Sequence, residues 1–427
     1  VTAADGLTAA PPFRLPPPAG GAVDVLVVAG EHSGDEHAAR MVRGFLAARP
    51  GARVAALGGP LLAAAGAQLL FDLTASSVVG YAEVLKHLSF FRALQAEILR
   101  WIEEHAPRAV CLVDYPGMNL RLAAALRARG LSVQGGGPTR VLYYISPQIW
   151  AWKAGRRFEM ARDLDALAVI FPFEVECYAD TALPVEFVGH PFVMAGYVPP
   201  VAYDPAGPIL LLPGSRRQAV ARIFPALLEG YARFQAEEKD ADAASAVGPV
   251  GTAVQGGAAG VTSAPALSAR GPARGGVVLY PSAEVLEVLR SCSPPPEIAL
   301  RPTGTPVAAS AVLTSSGTMS MHCALAGIPG AIVYRTSPVT YLFARWLLRV
   351  RQIGIANLLL GAPMYPEFIQ AAATPVALAA ELSACVRDPG RRRRAQRWAA
   401  RLRCLLGRPS GGEAADWITR QVPADSP

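Results

Sequence analysis

Ile209-Leu210-Leu211-Leu212-Pro213-Gly214-Ser215-Arg216-Arg217-Gln218-Ala219-Val220 begins as an apolar run of strand length and stops at a Pro-Gly-Ser corner. Helical spacing follows through Ile223, Leu227 and Leu228, so the stretch reads as strand, tight turn, helix. Gly214 lets a ligand approach the backbone closely, and Ser215 suits a helix cap. The free N–H groups of a helix start favour an anion, and Arg216 adds a forked cation. Phosphate is the natural guest. The competing reading is an ordinary βα turn carrying a surface arginine.

The same grammar runs through the rest of the chain. Val23–Ala29, Val54–Gly58, Ala109–Val113, Val141–Ile145, Leu167–Ile170 and Val185–Val188 read as buried strands. Helical patterns lie between several of them, and short turns carry the polar residues. After a Pro-rich stretch at 199–208 a second series starts at Ile209, with strands at Val277–Tyr280, Ala311–Thr314 and Ala331–Tyr334. Alternation of this kind predicts parallel sheets covered on both faces. Ligands of such sheets bind at the carboxyl ends of strands, where Gly30–Asp35, Asp114–Asn119, Ser146–Trp152, Pro213–Arg216 and Ser315–Thr318 fall. The expected organisation is a disordered leader (1–21), an N-terminal Rossmann-like domain (22–200), a C-terminal Rossmann-like domain (205–385) with a disordered insertion (240–275), and a helical tail (386–427).

Bulk properties narrow the function classes. The chain has 427 residues, 52% of them hydrophobic, and a net charge of +7. That is enough for two domains with sizeable cores. No apolar run is long enough to predict a transmembrane helix, and the leader lacks the regions of a signal peptide. Lysine stands only at Lys86, Lys153 and Lys239, so arginine carries nearly all the positive charge. The excess suits phosphates or an anionic membrane surface. No nucleic-acid-binding module is present. The six cysteines are scattered without CxxC spacing, as in a cytosolic protein with reduced thiols.

Read together, a set of short motifs identifies the chain with a family. Ala29-Gly30-Glu31-His32-Ser33-Gly34-Asp35, Gly80-Tyr81-Ala82-Glu83-Val84-Leu85, Asp114-Tyr115-Pro116-Gly117-Met118-Asn119, Tyr144–Trp152, Phe171-Pro172-Phe173-Glu174, Val188-Gly189-His190-Pro191, Leu212–Arg216, Ser316-Gly317-Thr318 and Asn357-Leu358-Leu359 occur in this order. The sequence resembles the lipid-A-disaccharide synthase family over roughly residues 23–400, the insertion excepted. That family comprises inverting glycosyltransferases of the GT-B fold, with two Rossmann-like domains facing across a cleft. The resemblance implies that UDP-diacylglucosamine and diacylglucosamine 1-phosphate are joined through a β(1→6) link with release of UDP. It also implies acceptor binding by the N-terminal domain, donor binding by the C-terminal domain, no cofactor and no catalytic metal. It is compatible with a homodimer.

Inverting transfer needs a base for the acceptor hydroxyl and positive charge or donors on the leaving diphosphate. Asp114 matches the residue that the resemblance implies as base; from position alone an Asx-turn or helix cap is the commoner use. Gly30, Glu31, Ser33 and Asn119 are expected around the acceptor, Asn119 also as a cap. Gly214, Ser215 and Arg216 are expected on the diphosphate. Ser316, Gly317, Thr318, His322 and Asn357 are expected on the rest of the donor. Where His322 stands the family usually carries Glu, which in GT-B enzymes holds the ribose. Glu31, His32, Asp35, Glu36 and His37 form a polar cluster, yet the loop spreads them apart and no metal site is expected; Asp35 reads equally as a cap. Trp150 and Trp152 could stack on substrate or join the core, and His190 could be structural or touch substrate.

Lipid substrates require contact with a membrane, so a cytoplasmic protein held peripherally on the inner membrane is expected. Val78–Trp101 and the Arg345/Arg349 helix are the candidate contacts; each apolar face could equally pack on its own sheet. The rival readings are another GT-B enzyme, such as a different lipid glycosyltransferase or a UDP-sugar epimerase, and a non-catalytic homologue, to which only His322 and the insertion point.

Overall fold

The computed structural model describes residues 14–76, 84–194, 196–246, 274–337, 341, 352–407 and 413–422. Two compact units divide the chain: Val1–Ala195 together with Leu406–Pro427, and Gly196–Leu405.

The first unit holds β1 (Val25–Ala29), β2 (Val54–Gly58), β3 (Gln68–Asp72), β4 (Ala109–Val113), β5 (Arg140–Tyr144), β6 (Ala166–Val169) and β7 (Val185–Phe187). They pair in the order β3-β2-β1-β4-β5-β6-β7, every pair parallel. β1, β2 and β4 are buried at every residue. A parallel sheet covered on both faces demands continuous apolar runs rather than alternation, which is how these strands were legible. Between them lie α1 (His32–Ala48), α2 (Pro60–Ala64), α3 (Leu73–Ser76), α4 (Val84–His105), α5 (Pro116–Ala128) and α6 (Arg156–Asp163). Strand order reverses between β1 and β4, and a crevice opens at the carboxyl ends of strands at such a reversal. Ala29 lies opposite Val113, so the loops after β1 and β4 leave the sheet side by side.

The second unit repeats the plan. β9 (Ile209–Leu212), β10 (Gly276–Tyr280), β11 (Ile298–Pro302), β13 (Ala311–Thr314), β14 (Gly330–Tyr334) and β15 (Glu367–Ile369) pair in the order β11-β10-β9-β13-β14-β15, and β8 (Val201–Tyr203) pairs with β12 (Val307–Ala309). α7 (Arg217–Ala246), α8 (Ala283–Ser291) and α9 (Thr318–Ala326) connect the strands. The reversal falls between β9 and β13, where Leu212 lies opposite Thr314.

The structure corrects several expectations. The end of the supposed leader is anchored: Leu15 is buried and its N–H donates to Glu97 Oε1 at 2.6 Å. Trp101 Nε1 donates to Pro16 O at 2.9 Å, and Gln68 pairs with Pro17 and Ala19. Ala, Pro and Gly composition suits disorder only where nothing apolar is available to cover, and Leu15 finds a core. The helix before the expected insertion runs past residue 240: α7 continues to Ala246 through Glu, Lys, Asp and Ala, which are mostly good helix formers; residues 247–273 lie outside the described residues. The terminal helices are packed. Arg391 is 8% exposed, pairing with Glu381 at 2.9 Å and donating to Gly330 O at 2.7 Å. The helix Ala414–Gln421 lies on α1, where Gly44 leaves room for Ala415, and buries Trp417 and Ile418.

Of the proposed membrane contacts, α4 directs Leu94, Ile98, Leu99, Trp101 and Ile102 into the core of the first unit. The residues at 77–83, which include most of the Gly80–Leu85 motif, and the Arg345/Arg349 stretch lie outside the described residues. Strands β3, β8, β11, β12 and β15 escaped the sequence reading. β3, β11 and β15 are edge strands with partly exposed, less apolar residues. All six cysteines are free thiols.

Candidate active site

At the switch point of the first unit the backbone takes an unusual path. Asp114 and Tyr115, directly after β4, both have φ of 47°. Left-handed backbone is uncommon for residues other than glycine and costs about 1–3 kcal/mol for each when imposed. The turn is held from two sides. Tyr143 Oη donates to Asp114 O at 2.7 Å, and Asn119 Nδ2 donates to Asp114 O at 2.8 Å and to Val113 O at 3.2 Å. Asp114 N donates to Tyr144 O at 2.9 Å, keeping the residue in the sheet. Tyr115, not Asp114, is the N-cap of α5, without a side-chain cap. The carboxylate is therefore not spent on capping that helix.

Electrostatics set this carboxyl apart. Burial pushes Asp114 up to about 6, and the charge of Glu31 adds to the shift. Glu31 is exposed at the N-cap of α1 with no side-chain cap bond, and Ser33 follows in the first turn. Gly30 is needed for close approach, since a β-carbon there would overlap the Tyr115 ring. Gly30, against the Tyr115 ring, and Glu31, whose charge reaches Asp114, thus belong to the loop next to the Asp114 turn, and Ser33 follows them in α1. Asn119 does not face an acceptor: it is wholly buried and spends its amide on the Asp114 turn. Asp35 is also buried and structural, accepting from Gly59, Leu61 and Leu62 N–H groups at 2.8–3.2 Å, so it caps α2.

Sequence reasoning gave Glu174 no role. Its carboxyl is buried and pushed up to about 8, mainly by burial and in part by Asp114, despite bonds from the Phe171 N–H and the Trp150 indole. The only signal was its place in the Phe-Pro-Phe-Glu motif. The two tryptophans diverge. Trp150 meets Phe173 edge-on at 5.6 Å. Trp152 is exposed, with Lys153 and Arg156 over its ring at 4.8 and 5.1 Å. His190 is buried and accepts from Phe192 N–H at 3.2 Å, the structural of its two readings.

In the second unit the loops after β9 and β13 meet. Gly214, at φ 116°, lies against Ser315, whose hydroxyl would stand 3.2 Å from a β-carbon there; Ser315 N donates to Leu212 O at 2.7 Å. Ser215, Arg216 and Thr318 are exposed, and among the described residues Arg216 makes no ion pair. Gly317 caps α9 in an extended conformation, so two helix starts, those of α7 and α9, stand side by side with Arg216 between β9 and α7. Such an arrangement suits an anion.

Ser316 Oγ donates to Ile353 O at 2.8 Å, and Glu367 accepts from Ile353 N and Gly354 N. Asn357 completes this network. It donates to Glu367 and Tyr365 O at 2.8 Å and accepts from Tyr365 N at 3.0 Å, with no exposed surface. Asn357 therefore supports the site rather than meeting a donor. His322 is 5% exposed, stacked on Tyr197 at 5.7 Å, and burial lowers its pKa to about 4. It is a neutral ring placed against a tyrosine, which corrects the expectation of a ribose contact. Both residues lie in helices that turn them inward.

Residues 25–247 and 303–420 match the sequence profile described as lipid-A-disaccharide synthetase. The chain belongs to the lipid-A-disaccharide synthase family. A lipid-A-disaccharide synthase of Geobacter metallireducens is 35% identical over 399 residues, covering 91% of this chain and 94% of its own. One of Nitrosococcus oceani is 34% identical over 382 residues, covering 87% and 89%. Among solved structures, the kitacinnamycin glycotransferase has a TM-score of 0.54 at 15% identity, over 94% of this chain and 100% of its own. The UDP-GlcNAc 2-epimerase of Neisseria meningitidis, bound to UDP-GlcNAc, has a TM-score of 0.53 at 10% identity, over 87% and 93%. At these identities the solved structures speak for the fold, which is GT-B, with two Rossmann-like parallel-sheet units.

Membership of the lipid-A-disaccharide synthase family makes the protein a glycosyltransferase and implies nucleotide-sugar and lipid substrates. Among the described residues no group of His, Cys, Asp and Glu could hold a metal ion, and no helix is long and apolar enough to cross a membrane.

Proposed function

We propose that the protein transfers diacylglucosamine from UDP-2,3-diacylglucosamine to 2,3-diacylglucosamine 1-phosphate, forming a β(1→6) disaccharide and UDP. In this reading the first unit holds the acceptor and the second the donor. Asp114 takes the proton of the acceptor 6-hydroxyl as that oxygen attacks the anomeric carbon. The bond from that carbon to the diphosphate breaks, and the configuration inverts. Arg216, with the N–H groups near Gly214, Ser215, Gly317 and Thr318, receives the charge developing on UDP. Ser316 holds the neighbouring loop through Ile353, while Asn119 and Asn357 act by positioning others. Glu31 and Ser33 lie where the acceptor sugar would pass.

The observation that carries the reading is Asp114: a partly buried carboxyl on a left-handed turn at a switch point, pushed up to about 6. A base is most effective when its pKa lies near the working pH. The protein works, in the same proposal, at the cytoplasmic face of the inner membrane, held peripherally, with a homodimer as its assembly. The test is incubation of purified protein with both substrates. Disaccharide and UDP in equal amounts are expected; a folded protein that forms neither would sink the proposal. Arg216→Ala should weaken UDP binding by roughly tenfold or more, the loss expected for a charge-assisted contact, and unchanged affinity by calorimetry removes Arg216 from the diphosphate.

A further inference from the structure

We propose that the groove between α5 and α6 seats the phosphate monoester of the acceptor, with Arg121 and Arg156 as its cations. The inference rests on the transfer reaction proposed above. The groove has a volume of about 280 Å³ and is lined in part by Pro116 and Gly117, the first turn of α5 directly after Asp114 and Tyr115. Nothing lies within 4 Å of where a Gly117 β-carbon would be. Arg121 follows Gly117 by four residues and so shares its face of the helix. Arg156, the first residue of α6, stands on the other wall.

The charges of the groove favour a dianion. Asp163 is already matched twice: Arg162 donates to its two oxygens at 2.8 and 2.9 Å, and Arg127 to Oδ1 at 2.9 Å. Among the described residues neither Arg121 nor Arg156 enters an ion pair. Glu159 is the remaining carboxylate in the wall; it is exposed and its charge bears on Arg162. Arg156 is also held in place, its guanidinium 5.1 Å from the centre of the Trp152 ring. A guanidinium restrained by an aromatic face offers its fork to phosphate at a small cost in freedom.

Distance within the substrate supplies the link to catalysis. In a glucosamine 1-phosphate the 6-hydroxyl and the phosphate oxygen are joined through C6, C5, the ring oxygen and C1. A phosphate seat must therefore lie within one sugar ring of the base. The groove starts two residues beyond Asp114, and Asp114 and Arg156 both act, with opposite sign, on the Tyr143 hydroxyl.

The test compares Arg121→Gln, Arg156→Gln and the double variant with wild type, using the phosphorylated acceptor and the same acceptor lacking its phosphate. Each single change should raise KM for the phosphorylated acceptor roughly tenfold, as for loss of a charged hydrogen bond, and leave KM for the UDP donor unchanged. On the acceptor without phosphate, variants and wild type should behave alike. Arg156→Lys, which keeps charge but loses the fork, should fall between. An unchanged KM in the double variant, or an equal rise for both acceptors, overturns the phosphate seat alone. Failure of wild type to form any disaccharide overturns the transfer reaction, and the seat falls with it.

Discussion

Asp114 and Glu174 are two carboxyls of one unit whose environments keep protons on them longer than water would. In the proposed transfer the consequence for Asp114 is catalytic. kcat/KM should rise with pH through about 6, because the base must be ionised in the free enzyme. Asp114→Asn should remove that limb and lower turnover by roughly 10²–10⁴-fold, while UDP affinity is kept; full activity in this variant would exclude the residue as base. For both groups the folded value is raised above the unfolded one. The native state then binds more protons than the unfolded state, and stability falls as pH rises. The windows run from 3.8 to about 6 for Asp114 and from 4.5 to about 8 for Glu174. Glu174→Gln should therefore be more stable than wild type at alkaline pH, and denaturant titrations above and below the window measure the difference.

At the scale of elements, each site is a pair of loops leaving adjacent strand ends where the sheet order reverses. The first pair brings Glu31 to Asp114; the second brings Gly214 to Ser315. Behind the second pair, Glu367 of β15 gathers Ile353, Gly354 and Asn357. This is a buried polar network whose value lies in being fully matched. Asn357→Ala leaves the Tyr365 N–H without its acceptor and should destabilise the protein by about 1–3 kcal/mol, read by urea unfolding. Weaker UDP binding at unchanged stability would instead return Asn357 to direct contact with the donor.

For the whole molecule, the first unit is assembled from both ends of the chain. Arg14–Ala19 packs on α4 and β3, and the helix Ala414–Gln421 packs on α1, tied by Arg140 to Gln421 and by Arg49 to Thr419. Trp417 is 1% exposed. Trp417→Ala should cost about 3–5 kcal/mol, and the loss should fall on one of two calorimetric transitions, that of the first unit. A uniform shift of both transitions would show that the two units unfold as one.

The sequence by itself determined the two-sheet α/β plan, the family and the loops that carry Asp114 and Arg216. Fully covered parallel strands must be apolar throughout, and turns that receive anions need glycine and small polar residues. Both requirements are local and leave a mark in the residues. The edge strands β3, β11 and β15 left a weaker mark, because partial exposure removes the apolar run. Only the tertiary structure decided which motif residues are exposed and which are buried. Asn119, His322 and Asn357 are buried, because their places along helices and contacts with distant residues turn them inward. The same holds for Glu174, whose raised proton affinity comes from burial and from Asp114, sixty positions earlier in the chain. Burial and charge act through space, so a carboxyl's proton affinity is a property of the folded unit.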